Sequence, residues 1–260
     1  MEGRPDDPSP QVIFLHAATR DRSDFDALRA LLPLPSAALD LPGHGAAPRY
    51  TAYDIPGMAA ALDLADGAVV FAHSLGGCVA LQCASLRPGR LAGLVLEEAP
   101  LFSILPPRAT QGRYQRGFQK LRALLEGEAS SYTPSDWERT VASWSSGHGG
   151  VSLLEALGPD AVRRRAGQLA ALDPRVLDGL IDATMGRGFD PASAIRRAGC
   201  PTTLIAGEAA QGSVLSEEDL SRLKALGVRI VRVDGGHFIH EVRPEPCLAA
   251  LCDPRSVSPI

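Results

Sequence analysis

Short apolar runs recur along the chain at residues 11–15, 37–41, 69–73, 91–96, 201–207 and 228–233. Each is too short for a helix and predicts a strand, and the runs at 11–15 and 91–96 read as buried, the latter as a strand of a parallel sheet. Between them lie segments with helical spacing and recognisable starts. Ser23 is placed to cap a helix over 24–32, with Asp26 as a short capping partner and Pro33 and Pro35 ending it. Asp54 is placed to cap a helix over 55–65 with Pro56 in its first turn, where the missing amide hydrogen costs nothing. Further helices are predicted after residue 74, after Ser216 and from Pro244. The alternation stops over 101–198, where Thr133-Pro134, Asp173-Pro174 and Asp190-Pro191 each set a capping side chain before a proline. That stretch predicts an all-helical insertion, residues 101–198, in an α/β core made of residues 1–100 and 199–260.

The junction at Val69-Val70-Phe71-Ala72-His73-Ser74-Leu75-Gly76-Gly77 organises the rest. An apolar strand collides there with a small-residue turn and continues as a helix. A serine at the apex of such a turn is held in a strained conformation that exposes its hydroxyl, and its neighbours must be small, as Gly76 and Gly77 are. The Leu75 amide is left unpaired at the start of the helix, where positive partial charge favours a developing oxyanion.

Ala72-His73-Ser74-Leu75-Gly76 resembles the G-x-S-x-G nucleophile elbow of the α/β-hydrolase superfamily, with alanine in place of the first glycine. Three further segments agree. His16-Ala17-Ala18-Thr19 is similar to the family's H-G-x oxyanion loop, Pro42-Gly43-His44-Gly45 to its D-x-P-G-H-G turn, and Gly235-Gly236-His237-Phe238-Ile239-His240 with Pro244 to its C-terminal histidine segment. The resemblance runs from Val12 to about Leu251. It implies the α/β-hydrolase fold: a mostly parallel, doubly wound sheet of about six strands with an all-helical lid inserted after the sixth strand of the family's count. Only about ten residues precede the first strand, so the usual N-terminal hairpin is expected to be missing.

By the same resemblance Ser74 is the nucleophile, His237 the base, and the amides of Ala18 and Leu75 the oxyanion donors, while His44 and His240 read as structural. The acid is less direct. Its usual position, three residues after Gly207, is Ala210. Glu98, at the tip of the strand beside the nucleophile strand, is the favoured replacement, and Glu208, directly after Gly207, is the alternative. The lid offers Tyr114, Phe118, Tyr132, Trp137, Trp144 and Met185 as pocket lining, with Trp137 and Trp144 chosen as substrate contacts. Arg108, Arg113, Arg116, Lys120 and Arg122 read as a solvated face.

Composition narrows the function. The 260 residues, 45% apolar, suit one large domain. A net charge of −4 without a dense basic block argues against nucleic acid as partner. No stretch reaches the ~18 apolar residues of a membrane span, and the polar, proline-rich start is unlike a signal peptide, so a soluble cytoplasmic protein is expected. The five cysteines lack metal-ligand spacing and read as reduced core residues, and neither metal nor cofactor is expected. The oligomeric state is left open. Serine at the elbow points away from dehalogenase or epoxide-hydrolase chemistry and toward a small-molecule acyl substrate: an ester, lactone or thioester cleaved through an acyl-enzyme. A carbon-carbon bond hydrolase of ring-cleavage diketones and a non-hydrolytic ligand-binding member remain the alternatives.

Overall fold

The computed structural model describes residues 11–110, 113–145 and 151–253. The hairpin expectation concerns residues 1–10, which lie outside them. All six predicted strands form: β1 (Val12–Leu15), β2 (Ser36–Leu39), β3 (Val69–His73), β4 (Gly93–Glu97), β5 (Thr202–Ala206) and β6 (Arg229–Arg232). They make one sheet in the order β2-β1-β3-β4-β5-β6, parallel at every pairing. The four central strands are buried along their whole length, whereas edge strands β2 and β6 are only partly covered. Strand order reverses between β1 and β3. In open α/β sheets the crevice at such a switch point, outside the carboxyl ends of the strands, is where ligands bind, and Ser74 stands at the carboxyl end of β3.

The helices bear out most of the predicted caps and shift others. Helix α1 (Asp26–Leu31) is preceded by a 3₁₀ turn whose cap is Asp21, not Ser23. The Ser23 hydroxyl is itself a donor to Asp21, at 2.5 Å, so it is spent two residues upstream. Asp54 caps α2 (Ile55–Ala60) through Gly57 N–H at 2.7 Å, but the helix ends short of residue 65 and the chain turns Leu64 into the core. The elbow helix is α3 (Leu75–Leu86). A Cβ on Gly76 would lie 2.5 Å from the carbonyl oxygens of Leu15 and His16, and one on Gly77 would lie 2.5 Å from Ala99 Cβ. The two glycines therefore let α3 cross β1 and the end of β4 at backbone contact.

Among the described residues, five α-helices lie between β4 and β5: α4 (Arg113–Glu126), α5 (Pro134–Ala142), α6 (Leu153–Ala170), α7 (Arg175–Ile181) and α8 (Pro191–Arg197). Thr133 and Asp136 form a capping box on α5, Ser152 and Glu155 one on α6, and Asp190 caps α8. Helix α6 breaks at Gly158, φ 79°, just before Pro159. Val141, Leu169 and Leu177 from these helices join Val70, Leu96 and Leu204 of the sheet in one hydrophobic cluster. After β5 follow α9 (Glu217–Ala225), α10 (Ile239–Val242) and α11 (Pro244–Cys252). Among the described residues no helix is long and apolar enough to cross a membrane. Cys78 and Cys247 are buried as expected, but Cys252 is exposed.

Asp173 ties the inserted helices to the turn after β2. Its amide donates to Gly43 O at 2.8 Å, and its carboxylate accepts from Tyr53 Oη and Arg175 Nη2, each at 2.7 Å. Burial alone would raise its pKa, but the Arg175 guanidinium and the Tyr53 hydroxyl outweigh it and hold Asp173 at about 2.

Two consequences are measurable. Because Asp173 titrates lower in the folded than in the unfolded chain, the latch is at full strength above the unfolded value near 4 and is lost as pH falls through about 2. Urea titrations from pH 6 to pH 2 should show wild type losing about 2 kcal/mol that Asp173→Asn does not lose, and parallel curves would refute this. Gly76→Ala, forced against two carbonyl oxygens, should cost about 3 kcal/mol in the same assay, whereas a neutral effect would mean that α3 is free to move off β1.

Candidate active site

The elbow forms as its small residues require. Ser74 sits at φ 52° and ψ −117°, a conformation costly for a residue with a side chain, and its amide donates to Glu97 O at 2.9 Å. The His73–Glu97 register of β3 and β4 thereby places Ser74 beside Glu98. The imidazole of His237 lies between the two: Nε2 is 3.2 Å from Ser74 Oγ and Nδ1 is 3.3 Å from Glu98 Oε2.

Glu98 is fully buried and has a positive φ of 50°. Its Oε1 accepts from Gly207 N–H and the Ser213 hydroxyl, and its Oε2 from Val214 N–H, each at 2.8 Å. Glu208 is exposed, and its amide donates to Gly235 O at 2.7 Å. Of the two candidate acids the structure brings only Glu98 to His237. Ala210 is exposed on the same loop. The 207–214 segment, where the family's acid is usual, here lends its amides and a hydroxyl to Glu98.

Two histidines support the loop after β1. His16 Nε2 accepts from Leu41 N–H at 2.9 Å while its Nδ1 donates to Ala17 O at 2.8 Å, and His44 Nε2 accepts from Thr19 N–H at 3.3 Å while Nδ1 donates to Pro42 O at 3.1 Å. Burial pushes the His44 pKa down to about 3 and lowers that of His16, so both rings are neutral acceptors, as these bonds require. Between them they fix the segment carrying the Ala18 amide. Leu75, as the first residue of α3, has an N–H with no intrahelical partner. Ala18 and Leu75 line the same cavity as Ser74.

Beneath the catalytic face lies a buried network that the sequence did not suggest. Glu97 accepts from His240 N at 2.8 Å and from its Nδ1 at 2.7 Å, and His73 Nε2 donates to His237 O at 2.8 Å. Burial alone would lower the His240 pKa, but the Glu97 and Asp24 carboxylates outweigh it and push it up to about 10. Burial pushes His73 down to about 3. Asp24, His73, Glu97 and His240 come from four separated segments, so only the turn residue His240 carried any sequence signal, as a structural histidine.

The cavity above Ser74 holds about 420 Å³. Its floor includes Ser74, His237, Ala18 and Leu75, and its roof includes Phe118, Leu180 and Met185. Tyr114, Phe118 and Met185 line it as expected. Trp137 and Trp144 do not, which corrects their choice as substrate contacts: Trp137 is core, its ring edge-on to Tyr132 at 5.4 Å, and Trp144 packs against the same cluster. The helical spacing that marked them does not say which part of the protein they pack against. Arg108 is no solvated cation either. It lines the cavity and makes two bonds of 2.8 Å to Asp219 and one of 2.8 Å to Ser216. Arg122 pairs with Asp178 of α7 at 2.7 Å.

Comparison with known proteins places this geometry. The model of the alpha/beta hydrolase family matches residues 12–250. A pimeloyl-[acyl-carrier protein] methyl ester esterase of Neisseria meningitidis is 39% identical over 92 residues, covering 33% of this chain and 35% of that protein. An esterase of Mycobacterium tuberculosis is 34% identical over 132 residues, covering 46% of this chain and 42% of that one. These matches thus span between about a third and under half of the curated relatives' length. Among solved structures, an N-formylmaleamic acid deformylase of Pseudomonas putida S16 superposes with a TM-score of 0.72 at 16% identity, covering 93% of this chain and 91% of that one, a likeness of fold alone. With the family model matched from β1 to α11, this chain belongs to the alpha/beta hydrolase family.

Proposed function

We propose that this chain is a serine hydrolase that cleaves the ester bond of a small-molecule acyl substrate. The observation that carries the reading is the alignment of Ser74 Oγ, His237 and the buried Glu98 carboxylate, at 3.2 and 3.3 Å, on the floor of a 420 Å³ cavity. A serine hydroxyl is a poor nucleophile near neutral pH and needs a base in reach, itself oriented by a third group. In this reading His237 Nε2 takes the Ser74 proton as Oγ bonds to the acyl carbon, and Glu98 accepts the Nδ1 hydrogen and stabilises the imidazolium. The Leu75 and Ala18 amides hold the oxyanion, each donor worth about 3 kcal/mol of barrier. The proton passes to the departing alcohol; water then gives a proton to His237 as its oxygen bonds to the acyl carbon, and the carboxylic acid leaves as that proton returns to Ser74 Oγ.

The relatives named as esterases support ester hydrolysis over the carbon-carbon alternative. A complete triad and a cavity within the ~300–1,000 Å³ range of small-molecule sites favour turnover over ligand binding alone. Phe118, Leu180 and Met185 give the roof an apolar character suited to an acyl chain.

Ser74→Ala should abolish both labelling by a fluorophosphonate probe and hydrolysis of p-nitrophenyl esters while leaving the circular dichroism unchanged; labelling equal to wild type would remove Ser74 from the mechanism. Glu98→Gln should lower kcat by a factor on the order of 10⁴, as the amide traps the wrong imidazole tautomer, and Glu208→Gln by less than about tenfold. The reverse ranking would transfer the acid to Glu208. Across a series of ester chain lengths, Phe118→Ala should shift the preferred acyl group toward longer chains and Trp137→Ala should leave the preference in place while lowering Tm. The opposite pattern would restore the tryptophan to the substrate site.

A further inference from the structure

Outside the cavity, Asp24, His73 and His240 converge from the turn before α1, the end of β3 and the start of α10. One ligating atom from each lies within 4.8 Å of the other two, and all three side chains are buried. Asp24 Oδ2, His73 Nδ1 and His240 Nε2 are the atoms of these residues left without a hydrogen-bond partner. We propose that they form a binding site for a divalent cation of the zinc type, behind the nucleophile and separate from the substrate cavity.

The opposite end of each side chain supports this. His73 Nε2 faces the His237 carbonyl at 2.8 Å, and a carbonyl only accepts, so Nε2 carries the hydrogen and Nδ1 presents its lone pair inward. His240 Nδ1 faces Glu97 Oε2 at 2.7 Å, which turns its Nε2 to the same point. Asp24 Oδ1 is held by Arg20 Nη1 at 3.1 Å, and Oδ2 faces His240 Nε2. Two imidazoles whose second nitrogen hydrogens go to a carboxylate and a backbone carbonyl are the arrangement that orients metal-bound histidines. Tetrahedral zinc, with bonds of about 2.0–2.1 Å, sets its ligands about 3.3 Å apart; His240 Nε2 and Asp24 Oδ2 already stand 3.4 Å apart. Two imidazole nitrogens and one carboxylate oxygen suit zinc, cobalt or nickel better than calcium or magnesium, and water completes the fourth position. Charge agrees. Once the ion has displaced the second proton of His240, leaving both imidazoles neutral, the carboxylates of Asp24, Glu97 and Glu241 outnumber the guanidiniums of Arg20 and Arg165 around this point. Without the ion, a proton on His240 Nε2 meets Asp24 in its place.

The bound ion joins three segments, and through His73 it braces the carbonyl of His237. The test uses the full chain, refolded from urea with one equivalent of Co²⁺ and freed of excess metal by gel filtration. Wild type should retain about one cobalt per chain, show ligand-field absorption without a thiolate-to-cobalt charge-transfer band, and melt at higher temperature than the metal-free protein. Asp24→Asn, which keeps an acceptor for Arg20, and His240→Gln should each retain at least tenfold less cobalt at equal concentration. Wild type emerging without cobalt, a thiolate band that moves the metal to the cysteines, or equal retention by both variants would each overturn the site. The wild-type spectrum decides the matter even where a variant fails to fold.

Discussion

Two adjacent carboxylates, Glu97 and Glu98, are taken out of water at the end of β4, and much of the surrounding structure answers that constraint. An ion buried without partners costs several kcal/mol, so each oxygen must be met by donors. Successive residues at a strand end face opposite ways, and the two carboxylates are satisfied on opposite sides. Glu98 draws the 207–214 loop over itself through Gly207, Ser213 and Val214, and offers its remaining valence to His237. Glu97 takes the amide and ring of His240, which fixes the first turn of α10, three residues beyond His237 at His240. The position of the histidine relative to Ser74 is therefore set twice, once at its ring by Glu98 and once along its chain by Glu97 and His73.

Features confined to contiguous residues were legible in the sequence. The elbow, the buried strands and the caps at Asp54, Thr133, Asp190 and Ser216 depend on neighbours within a few positions, and local propensity carries that information. The choice of acid was legible only as a pair, because it depends on where the loop after β5 folds back; nothing near Glu98 in sequence tells that Val214 will reach it. The cluster of Asp24, His73, Glu97 and His240 was invisible for the same reason. Trp137 and Trp144 misled because aromatic spacing marks a buried face without naming its neighbour. Ser23 failed as a cap because a carboxylate two residues earlier is the stronger acceptor and claims the serine hydroxyl itself.

The departures from the family pattern are absorbed by geometry. Ala72 replaces the first elbow glycine, yet it is fully buried in β3 without displacing α3, since the close approaches fall on Gly76 and Gly77. Ala17 stands where the family's H-G-x loop has glycine, and there the loop after β1 is fixed by the paired rings of His16 and His44, whose centroids are 4.8 Å apart. Their lowered pKa values keep them neutral across the physiological range, so the loop they hold keeps one hydrogen-bond pattern there.

The roof of the cavity is braced and not merely laid on. Helix α4 supplies Tyr114 and Phe118, α7 supplies Gly179 and Leu180, and the two helices are joined by Arg122 to Asp178. Helix α7 is in turn anchored at its start by Asp173, which holds Gly43, Tyr53 and Arg175 together, and Ile55 N–H donates to Met185 O just beyond its end. The groups that shape the space above Ser74 are thus fixed by bonds to the segment after β2. The shape of this cavity then depends on how these helices sit as a unit, so a change at Asp173, which is not among the residues lining it, reaches the space above Ser74 through α7.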